Sequence, residues 1–261
     1  MVTVNWWRLS WLILILGFLW TYREIPDKKL RIYFCDVGQG DAAVVSYGHF
    51  QALIDTGAYE SKVLACLEKA SPFWDKEIEL VFLSHSDKDH VGALPGVKRF
   101  YKVKKIIDKA SVGDRFSYNS LFFDVVKGSE NNVLTPMRGS SESNESSIVL
   151  EIRFGEFSSL FTGDIDEANE FALVRSGLLR KIDVLKVAHH GSKYSSSFDF
   201  LEAVEPEYAV ISVGAKNSYG HPNGDVLTRL DAVGSKTLRT DKLGTVAVVT
   251  DGTSLSWELA R

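Results

Sequence analysis

The sequence predicts an α/β protein in which two β-sheets pack together and helices cover their outer faces. Short apolar runs of β-type composition alternate with helical patterns from Leu30 to the carboxyl end. Strands and helices are mixed throughout, which argues against an all-β sandwich. The composition, 45% hydrophobic and 25% charged over 261 residues, is that of an ordinary globular protein and excludes disordered and collagen-like chains.

The predicted strands are apolar or β-branched runs bounded by turn residues, and they cover residues 30–37, 42–46, 51–54, 78–83, 121–126, 148–154, 158–161, 184–187, 208–213, 236–239, 245–249 and 254–258. The predicted helices cover residues 61–69, a stretch that begins at His90, and residues 166–176, 197–203 and 224–233. The stretch 138–146, rich in Ser, Asn and Glu, is predicted to be a loop.

Residues 1–26 are predicted to be an N-terminal membrane anchor or signal-like segment, and residues 27–261 the folded domain. The uncharged run 9–22 is short for a membrane span of about 20 residues, but aromatic residues at both of its ends suit the membrane interface. A buried N-terminal helix is the alternative. Basic residues on the two sides nearly cancel, and they favour an extracytoplasmic domain, membrane-anchored or secreted, only slightly.

Net charge is −4 and the pI is near 5.9, so the chain lacks the global basic surface of many nucleic-acid-binding proteins. The dense basic run 98–105 is interpreted as a solvated helix end and an edge strand; a grip on a phosphate backbone is the alternative. The two cysteines cannot build a disulfide framework, and Cys35 is expected to be a buried thiol. His49 is interpreted as a hairpin residue with no chemical role.

A dense group of metal-ligand residues follows the apolar run 79–83. His85, Asp87, Asp89 and His90 place two imidazoles and two carboxylates within six residues. Residues two apart in an extended segment point the same way, so His85 and Asp87 can reach one ion, while Asp89 and His90 reach a second beyond the bend. A solvated, Asp-rich turn is the alternative.

Further residues of this kind stand where a loop leaves a predicted strand. They are Asp55 and Asp164, each next to a glycine turn, the pair His189 and His190, and His221. Ends of neighbouring strands cluster at one sheet edge, so these side chains can meet in space. Taken singly, the two aspartates also suit turns or N-caps, and His221 suits a surface turn.

The glycine loop of residues 36–43 contains a G-x-G-x-x-A pattern after a strand. A dinucleotide-binding turn would need a helix next, but the following residues 42–47 are interpreted as the second strand of a hairpin. The glycines are therefore expected to let the loop pass close to another backbone segment or to a ligand.

Taken together, these motifs resemble the metallo-β-lactamase superfamily, and most closely the hydrolase domain attached to ComEC-type DNA-uptake channels. The resemblance covers roughly residues 30 to 260 and rests on segments 36–41, 54–57, 84–92, Asn144 ahead of 147–150, 161–164, 189–192 and 219–222. It implies a four-layer αββα sandwich with a metal site at one edge of the paired sheets.

Two departures from the superfamily pattern bear on the metal. The usual H-x-H-x-D-H loop is here H-x-D-x-D-H, with Asp87 in the second ligand place. No histidine lies between His90 and Asp164, so the histidine that usually precedes the bridging aspartate has no counterpart, and Asn144 or His189 would replace it. More oxygen donors shift preference from zinc toward manganese or magnesium.

The resemblance implies a centre of two divalent metal ions, zinc or manganese with magnesium possible, bridged by Asp164. We assign His85, Asp87 and His189 to one ion, and Asp89, His90 and His221 to the other. Asp89 and His190 are the predicted catalytic residues, His190 as proton donor to the leaving group, although the sequence does not decide which of the two adjacent histidines is the ligand. Asn144 and Ser192 are predicted to orient substrate, and Asp55 to anchor a ligand histidine.

Three functions are therefore weighed. The first is a membrane-anchored, extracytoplasmic phosphodiesterase or nuclease that acts on DNA, with a DNA-uptake channel as partner. The second keeps the fold but takes a small ester, lactone or phosphoryl substrate, as the acidic pI allows. The third is a non-catalytic, metal-stabilised accessory module of DNA uptake.

Overall fold

The computed structural model describes residues 6–23, 27–129, 144 and 146–259, and within residues 16–23 it describes the backbone only. Two seven-stranded sheets form the centre of the molecule. The first contains, in spatial order, β14 (Leu255–Leu259), β13 (Val246–Thr250), β1 (Leu30–Phe34), β2 (Ala43–Tyr47), β3 (Phe50–Ile54), β4 (Glu77–Phe82) and β5 (Lys102–Ile107). The second contains β12 (Lys236–Arg239), β11 (Tyr208–Ile211), β10 (Val184–Lys186), β9 (Phe157–Phe161), β8 (Val149–Phe154), β7 (Leu121–Lys127) and β6 (Arg115–Tyr118).

Both sheets combine antiparallel and parallel pairings. In the first, β3, β4 and β5 run parallel, and the remaining pairs are antiparallel. In the second, β9 to β12 run parallel, and β6 to β9 pair antiparallel. The carboxyl ends of the parallel strands therefore gather at one edge of each sheet, where the following loops can meet.

Helices cover the outer faces of both sheets. The covering helices are α2 (Glu60–Ala70), α4 (Leu94–Phe100), α5 (Glu167–Ser176), α6 (Phe198–Val204) and α7 (Gly224–Ala232). The described part of the chain also contains the short helices α3 (Lys88–Val91) and α8 (Thr240–Leu243), and α1 (Trp6–Arg23), whose side chains are exposed over residues 6–15. Val63 and Leu67 of α2 and Val97 of α4 pack on the first sheet. Leu173, Phe200 and Leu230 of α5, α6 and α7 pack on the second. The layers are thus αββα, as predicted.

The space between the sheets is filled by aromatic and branched side chains. Phe34 of the first sheet stacks on Phe161 of the second with ring centroids 5.6 Å apart, and Phe82 stacks on Phe123 at 5.3 Å. Full burial of such a side chain contributes about 1.5–3 kcal/mol. This shared core fixes the two sheets against each other and, with them, the loops at their edge.

Most predicted strands and helices are confirmed to within a few residues, but two strands were not among the predicted strand segments. The strand β5 carries lysines at 102, 104 and 105, and β6 exposes most of its side chains. Both are outermost strands whose charged residues face water, so their hydrophobic alternation is weak. The basic run 98–105 is confirmed as the end of α4 followed by the edge strand β5.

The expectation for the cysteines is wrong. Cys35 and Cys66 form a disulfide with their Cα atoms 5.8 Å apart. Cys35 follows β1 on the face that α2 covers, and Cys66 lies on the buried side of α2. The sheet–helix packing brings together two residues that are 31 positions apart, which the sequence alone does not reveal.

The apolar N-terminal run forms α1, with the described side chains of residues 6–15 exposed, so it is not the buried helix of the alternative. Within the described part of the chain, no helix combines the length and apolarity needed to cross a bilayer. The anchor or signal role of residues 1–26 stays a prediction.

Candidate metal centre

The candidate site residues gather at the edge where the parallel strands end. Asp55 follows β3, and the loop of His85 to His90 follows β4 and opens α3. Asp164 follows β9, and a 3₁₀ turn with His189 and His190 (Ala188–Gly191) follows β10. His221 lies in the loop between β11 and α7. Both sheets therefore contribute side chains to one place.

Four of these residues form the central cluster: Asp89, His90, Asp164 and His190. One potential ligand atom from each lies within 4.8 Å of the others. His90 Nε2 is 3.3 Å from Asp164 Oδ1, and His190 Nε2 is 3.4 Å from Asp89 Oδ2 and 3.7 Å from Asp164 Oδ2. Except for Asp89, which is half-buried, the members are fully buried.

Asp55 holds His90 from behind. Its carboxylate accepts a hydrogen bond from His90 Nδ1 at 2.8 Å, and it also accepts bonds from the backbone N and the hydroxyl of Ser84 at 2.8 and 2.7 Å. Because Nδ1 donates to Asp55, Nε2 is the ring nitrogen that faces Asp164 and that a cation could bind in place of a proton. Asp55 thus lies directly behind His90, and its role as the anchor of a ligand histidine stays a prediction.

His190 is held by a different set of contacts. Its Nδ1 donates to the carbonyl of Ser212 at 2.9 Å and lies 3.2 Å from Asp41 Oδ1, which again leaves Nε2 for the cluster. Asp41 is paired with Lys186, whose Nζ lies 2.6 Å from Asp41 Oδ2 and donates to the carbonyl of Val187. Both charged side chains are buried.

Sequence reasoning missed Asp41, Lys186 and Ser212. A signal existed for Lys186, which is the single charge inside the apolar run 184–188. A lysine there must find a buried anion, since an unpaired buried charge is strongly unfavourable. Asp41 stands at the end of the glycine loop, and its partner lies in the other sheet, so no local pattern connects the two.

The glycine loop before Asp41 packs directly against α3. The backbone N of Asp41 donates to the carbonyl of Asp89 at 3.1 Å. Gly40 has φ +129°, and a Cβ at this position would lie 2.2 Å from the same carbonyl oxygen. The expected close backbone approach is confirmed, and the strand β2 that follows excludes a dinucleotide-binding helix.

Charges in the cluster are strongly coupled. Burial alone would lower the pKa of both histidines, but Asp164 and Asp55 hold the pKa of His90 well above its usual range, and Asp164 and Asp41 raise the pKa of His190 to about 9. Burial would raise the pKa of Asp164, yet His90 and His190 hold it well below its usual range. The buried carboxylates of this site are therefore stable only beside positive charge, which either protonated histidines or a metal cation can supply.

The buried donor atoms fit a cation. Several ligand-type atoms of the described residues are buried and make no hydrogen bond: His85 Nε2, His90 Nε2, His190 Nε2, His221 Nδ1, Asp41 Oδ1 and Asp164 Oδ1. Buried polar atoms normally have partners, and imidazole nitrogens together with carboxylate oxygens are ligands for zinc and manganese. The residues present therefore fit a divalent metal ion.

A second group of residues forms the rim of the cluster. His85 is buried, and its Nδ1 is hydrogen-bonded to Ser84 Oγ. Its ring centroid lies 4.1 Å from that of His90, and its Nε2 lies 3.6 Å from Oδ2 of the half-exposed Asp87. His189 Nε2 lies 3.8 Å from Asp164 Oδ2, and the His221 ring lies 5.9 Å from the His189 ring.

The environment of His85 and His221 favours their neutral imidazoles. Burial, followed by the neighbouring histidines, lowers the pKa of His221 to about 4, and burial together with His90 also lowers the pKa of His85. A neutral imidazole offers a lone pair to a cation at neutral pH. His221 does not belong to the central cluster with Asp89 and His90, with which the sequence interpretation grouped it.

The two predicted substrate residues lie in turns beside the cluster. Asn144 is buried, and its carbonyl accepts from the backbone N of Ser147, whose hydroxyl in turn accepts from the backbone N of Asp164. Ser192 is buried two residues after His190. An open groove of about 630 Å³ begins at His85 and Ser86 and runs past Pro95 and Lys109.

Fold and cluster together define a metallo-β-lactamase-fold hydrolase with a buried His/Asp centre. Residues 35–114 match the sequence profile of the metallo-beta-lactamase superfamily, and the chain belongs to this superfamily. It is 32% identical over 249 residues to "Competence protein ComA" of Neisseria gonorrhoeae, covering 90% of this chain and 34% of that protein. It is 33% identical over 248 residues to "ComE operon protein 3" of Bacillus subtilis, covering 81% and 32%.

The chain spans about a third of the length of these curated relatives. Among solved structures, the metallo-beta-lactamase fold protein YhfI of Bacillus subtilis superposes with a TM-score of 0.56 at 11% identity, covering 89% of this chain and all of that one. The similarity to YhfI concerns the fold alone.

Proposed function

We propose that this chain is a metal-dependent phosphodiesterase that hydrolyses DNA. The observation that carries the proposal is the central cluster, in which His90 Nε2, Asp164 Oδ1 and His190 Nε2 are buried and make no hydrogen bond. His85, on the rim of the cluster, lines the neighbouring groove. One relative is named a competence protein, and this name, together with the resemblance to the hydrolase domain of DNA-uptake channels, suggests DNA as the substrate class.

Two divalent cations would be held. Asp89, His90, Asp164 and His190 would hold the first, and His85, Asp87 and His221 would hold the second from the rim, with Asp164 shared. Manganese or zinc suits this mixture of imidazoles and carboxylates, and magnesium is a third candidate. When bound, such cations polarise a phosphodiester and lower the pKa of the attacking water toward neutrality.

The protein's own groups position the reaction and move its proton. His190 is fixed by Ser212 and Asp41 and is almost fully buried, so it cannot reach a leaving group outside the cluster. His189 has a side chain 31% exposed, with Nε2 3.8 Å from Asp164. We therefore assign the transfer of a proton to the leaving oxygen to His189 Nε2, and the ligand role to His190, the reverse of the sequence interpretation.

Metal analysis and a cleavage assay on the same preparation test this function. Purified protein loaded with Mn²⁺, Mg²⁺ or Zn²⁺ is incubated with end-labelled single- and double-stranded DNA. Asp164→Ala should lose bound metal and reduce cleavage by at least about 10³-fold, because it removes the shared ligand. Asp231→Ala, on the exposed side of α7, is the matched control and should retain both properties.

Cleavage that persists in Asp164→Ala would mean a contaminating nuclease or a different site. Full metal loading and DNA binding without hydrolysis would instead support the non-catalytic accessory module. Both outcomes contradict the proposal.

A small substrate is the second candidate function. The basic run 98–105 is largely paired with acids: Arg99 contacts Glu60, and Lys102 and Lys104 contact Glu77. These pairs leave less positive charge for a phosphate backbone, in line with the net charge of −4. Turnover of small phosphodiesters, esters or lactones without turnover of DNA would favour this candidate.

We also propose that the domain works on the extracytoplasmic side of a membrane, beside a DNA-uptake channel. The disulfide Cys35–Cys66 supports an oxidising compartment, where such bonds persist. Replacing both cysteines by serine should lower the free energy of unfolding by about 3–4 kcal/mol, the cost expected for opening a loop of this length. Sensitivity of the expressed chain to protease added outside spheroplasts tests the location, and co-purification tests the channel partner.

A further inference from the structure

Tyr219 is an exposed aromatic residue beside the metal centre. Its side chain is 71% exposed, and its ring stacks on His221 with centroids 5.8 Å apart and planes 15° from parallel. An exposed tyrosine gains little from burial, so its place next to a rim histidine calls for an explanation outside the folding of the chain.

A row of rings connects Tyr219 to the centre. His221 lies 5.9 Å from His189, and His189 lies 6.2 Å from His190. His189 Nε2 is in turn 3.8 Å from Asp164. A flat group stacked on the outer side of Tyr219 would extend this row of rings.

The loop that carries Tyr219 is tied by Asn217. The amide Nδ2 donates to the carbonyls of Gly214 and His221, each at 2.8 Å. The amide Oδ1 accepts from the backbone N of Tyr219 at 3.2 Å and of His221 at 3.0 Å. Four bonds from one side chain hold the loop, so the Tyr219 ring is presented in a fixed orientation, which lowers the entropy lost on stacking.

We propose that Tyr219 is a stacking platform for a nucleobase next to the phosphodiester that is cut, and that the substrate is single-stranded at this point. The inference rests on the proposed phosphodiesterase function. A base inside a duplex has both faces covered by its neighbours, so only an unpaired base can stack on a protein ring. Tyr194, which is also exposed, has Lys193 over its ring at 4.8 Å and is less suited to the same role.

A fluorescence experiment measures stacking without relying on turnover. Mn²⁺-loaded protein is mixed with a short single strand that contains 2-aminopurine, and the initial fluorescence change is recorded before products accumulate. Tyr219→Ala should weaken binding by about 5- to 150-fold and abolish the quenching, since stacking of one base contributes about 1–3 kcal/mol. Tyr219→Phe keeps the ring and should restore binding to within about twofold of the original chain.

Phe73→Ala is the control, because Phe73 is also an exposed aromatic residue but precedes the amino end of β4, at the opposite edge of the sheet. It should change neither affinity nor quenching. A second arm replaces the bases of the strand with abasic sites. With this abasic strand, Tyr219→Ala should reduce the binding affinity only slightly, because Tyr219 has no base to stack on. With ordinary DNA, the same variant should show a smaller preference for single strands over duplexes.

Equal weakening of the ordinary and abasic strands by Tyr219→Ala would overturn the inference and reduce Tyr219 to a support for His221. Quenching that survives in Tyr219→Ala would overturn it as well. Failure of the proposed function has a different signature: the original chain binds and quenches through Tyr219 but cuts no DNA.

Discussion

The two histidine-bearing elements of the centre hold their imidazoles by different means. The loop from His85 to His90 uses side-chain hydrogen bonds to Ser84 and Asp55, and its histidines have ordinary backbone conformations. The turn from Ala188 to Gly191 instead places both its histidines in the left-handed region, with φ of 50° and 54°. This conformation costs a non-glycine residue about 1–2 kcal/mol.

The turn from Ala188 to Gly191 needs contacts that offset the free-energy cost of its left-handed histidines, a cost that the histidines of the loop from His85 to His90 do not have. These contacts are supplied by the backbone carbonyl of Ser212 and by the buried pair of Asp41 and Lys186. Strained backbone persists where surrounding contacts determine it, and it concentrates at functional sites. We infer that the turn depends on folding of the whole domain, whereas the loop is held by side chains close to it.

The largest effect is expected from breaking the support of the turn. Lys186→Met should lower the free energy of unfolding by about 3–5 kcal/mol, because it removes the lysine partner of the buried Asp41 and leaves only His190 beside that carboxylate. Urea denaturation of the metal-free protein measures this loss. Lys181→Met is the control: its pair with Glu205 is exposed and should contribute little. An effect as small as that of the control would contradict a supporting role for the buried pair.

The pH dependence of the metal-free protein comes next. In the folded state the pKa of His190 is raised to about 9, compared with about 6.5 in the unfolded chain. Its stabilising contribution, about 3 kcal/mol, is therefore complete below pH 6.5 and is lost as the pH rises toward 9. The lowered pKa values of Asp89 and Asp164 act oppositely, and their contribution is lost below about pH 4.

Denaturation of chelator-treated protein between pH 5 and 10 checks this expectation. Stability should be greatest near pH 6.5, because the lowered pKa values of His221 and His85 reduce stability below that pH. His190→Gln should reduce the alkaline loss, whereas His49→Gln, in the turn between β2 and β3, should preserve it. A flat profile above pH 6.5 would show that the carboxylates do not hold a proton on the histidines.

A smaller effect is expected for the anchor of the first element. Asp55→Asn should weaken metal binding by about 10- to 100-fold, the usual result of altering the hydrogen-bond partner of a ligand histidine. Isothermal titration with Mn²⁺ measures the affinity, and Asp231→Asn is the surface control. Unchanged affinity would mean that Ser84 alone fixes the loop.

The smallest effect tests the strain itself. His189→Gly should raise the stability of the metal-free protein by about 1 kcal/mol, since glycine adopts this conformation without steric cost. Asn119→Gly, at φ 52° in the hairpin of β6 and β7, should gain less because asparagine tolerates the left-handed region. A loss of stability in His189→Gly would show that the imidazole packs more strongly than its backbone is strained.

The layered fold could be predicted because its inner strands are largely apolar, several of them buried on both faces, and its helices bury one face each. The repeating apolar pattern therefore survives in the sequence for the inner strands, whereas β5 and β6 carry charges toward water and hide it. Contacts between residues that are far apart in the sequence are not indicated by any such pattern. The disulfide Cys35–Cys66 and the pair of Asp41 with Lys186 depend on how elements pack, which local patterns do not encode.

The sequence was sufficient to group the residues of the centre but not to assign a role to each of them. Strand ends meet at one edge, so Asp55, Asp164 and the histidines could be grouped from their positions alone. Which of His189 and His190 faces the carboxylates depends on two unusual backbone angles. Such angles are imposed by the surroundings of the turn, so adjacent histidines in a sequence remain interchangeable until the fold is known.

Asp89 and His90 of the central cluster come from the first half of the chain, and Asp164 and His190 come from the second half. The two halves also share the aromatic core between the sheets. A polypeptide interrupted between β7 and β8 would leave each piece with only two of the four donors. Tight binding of a metal ion would then show that the two fragments have assembled. The protein is therefore suited to a split reporter in which metal binding measures fragment complementation.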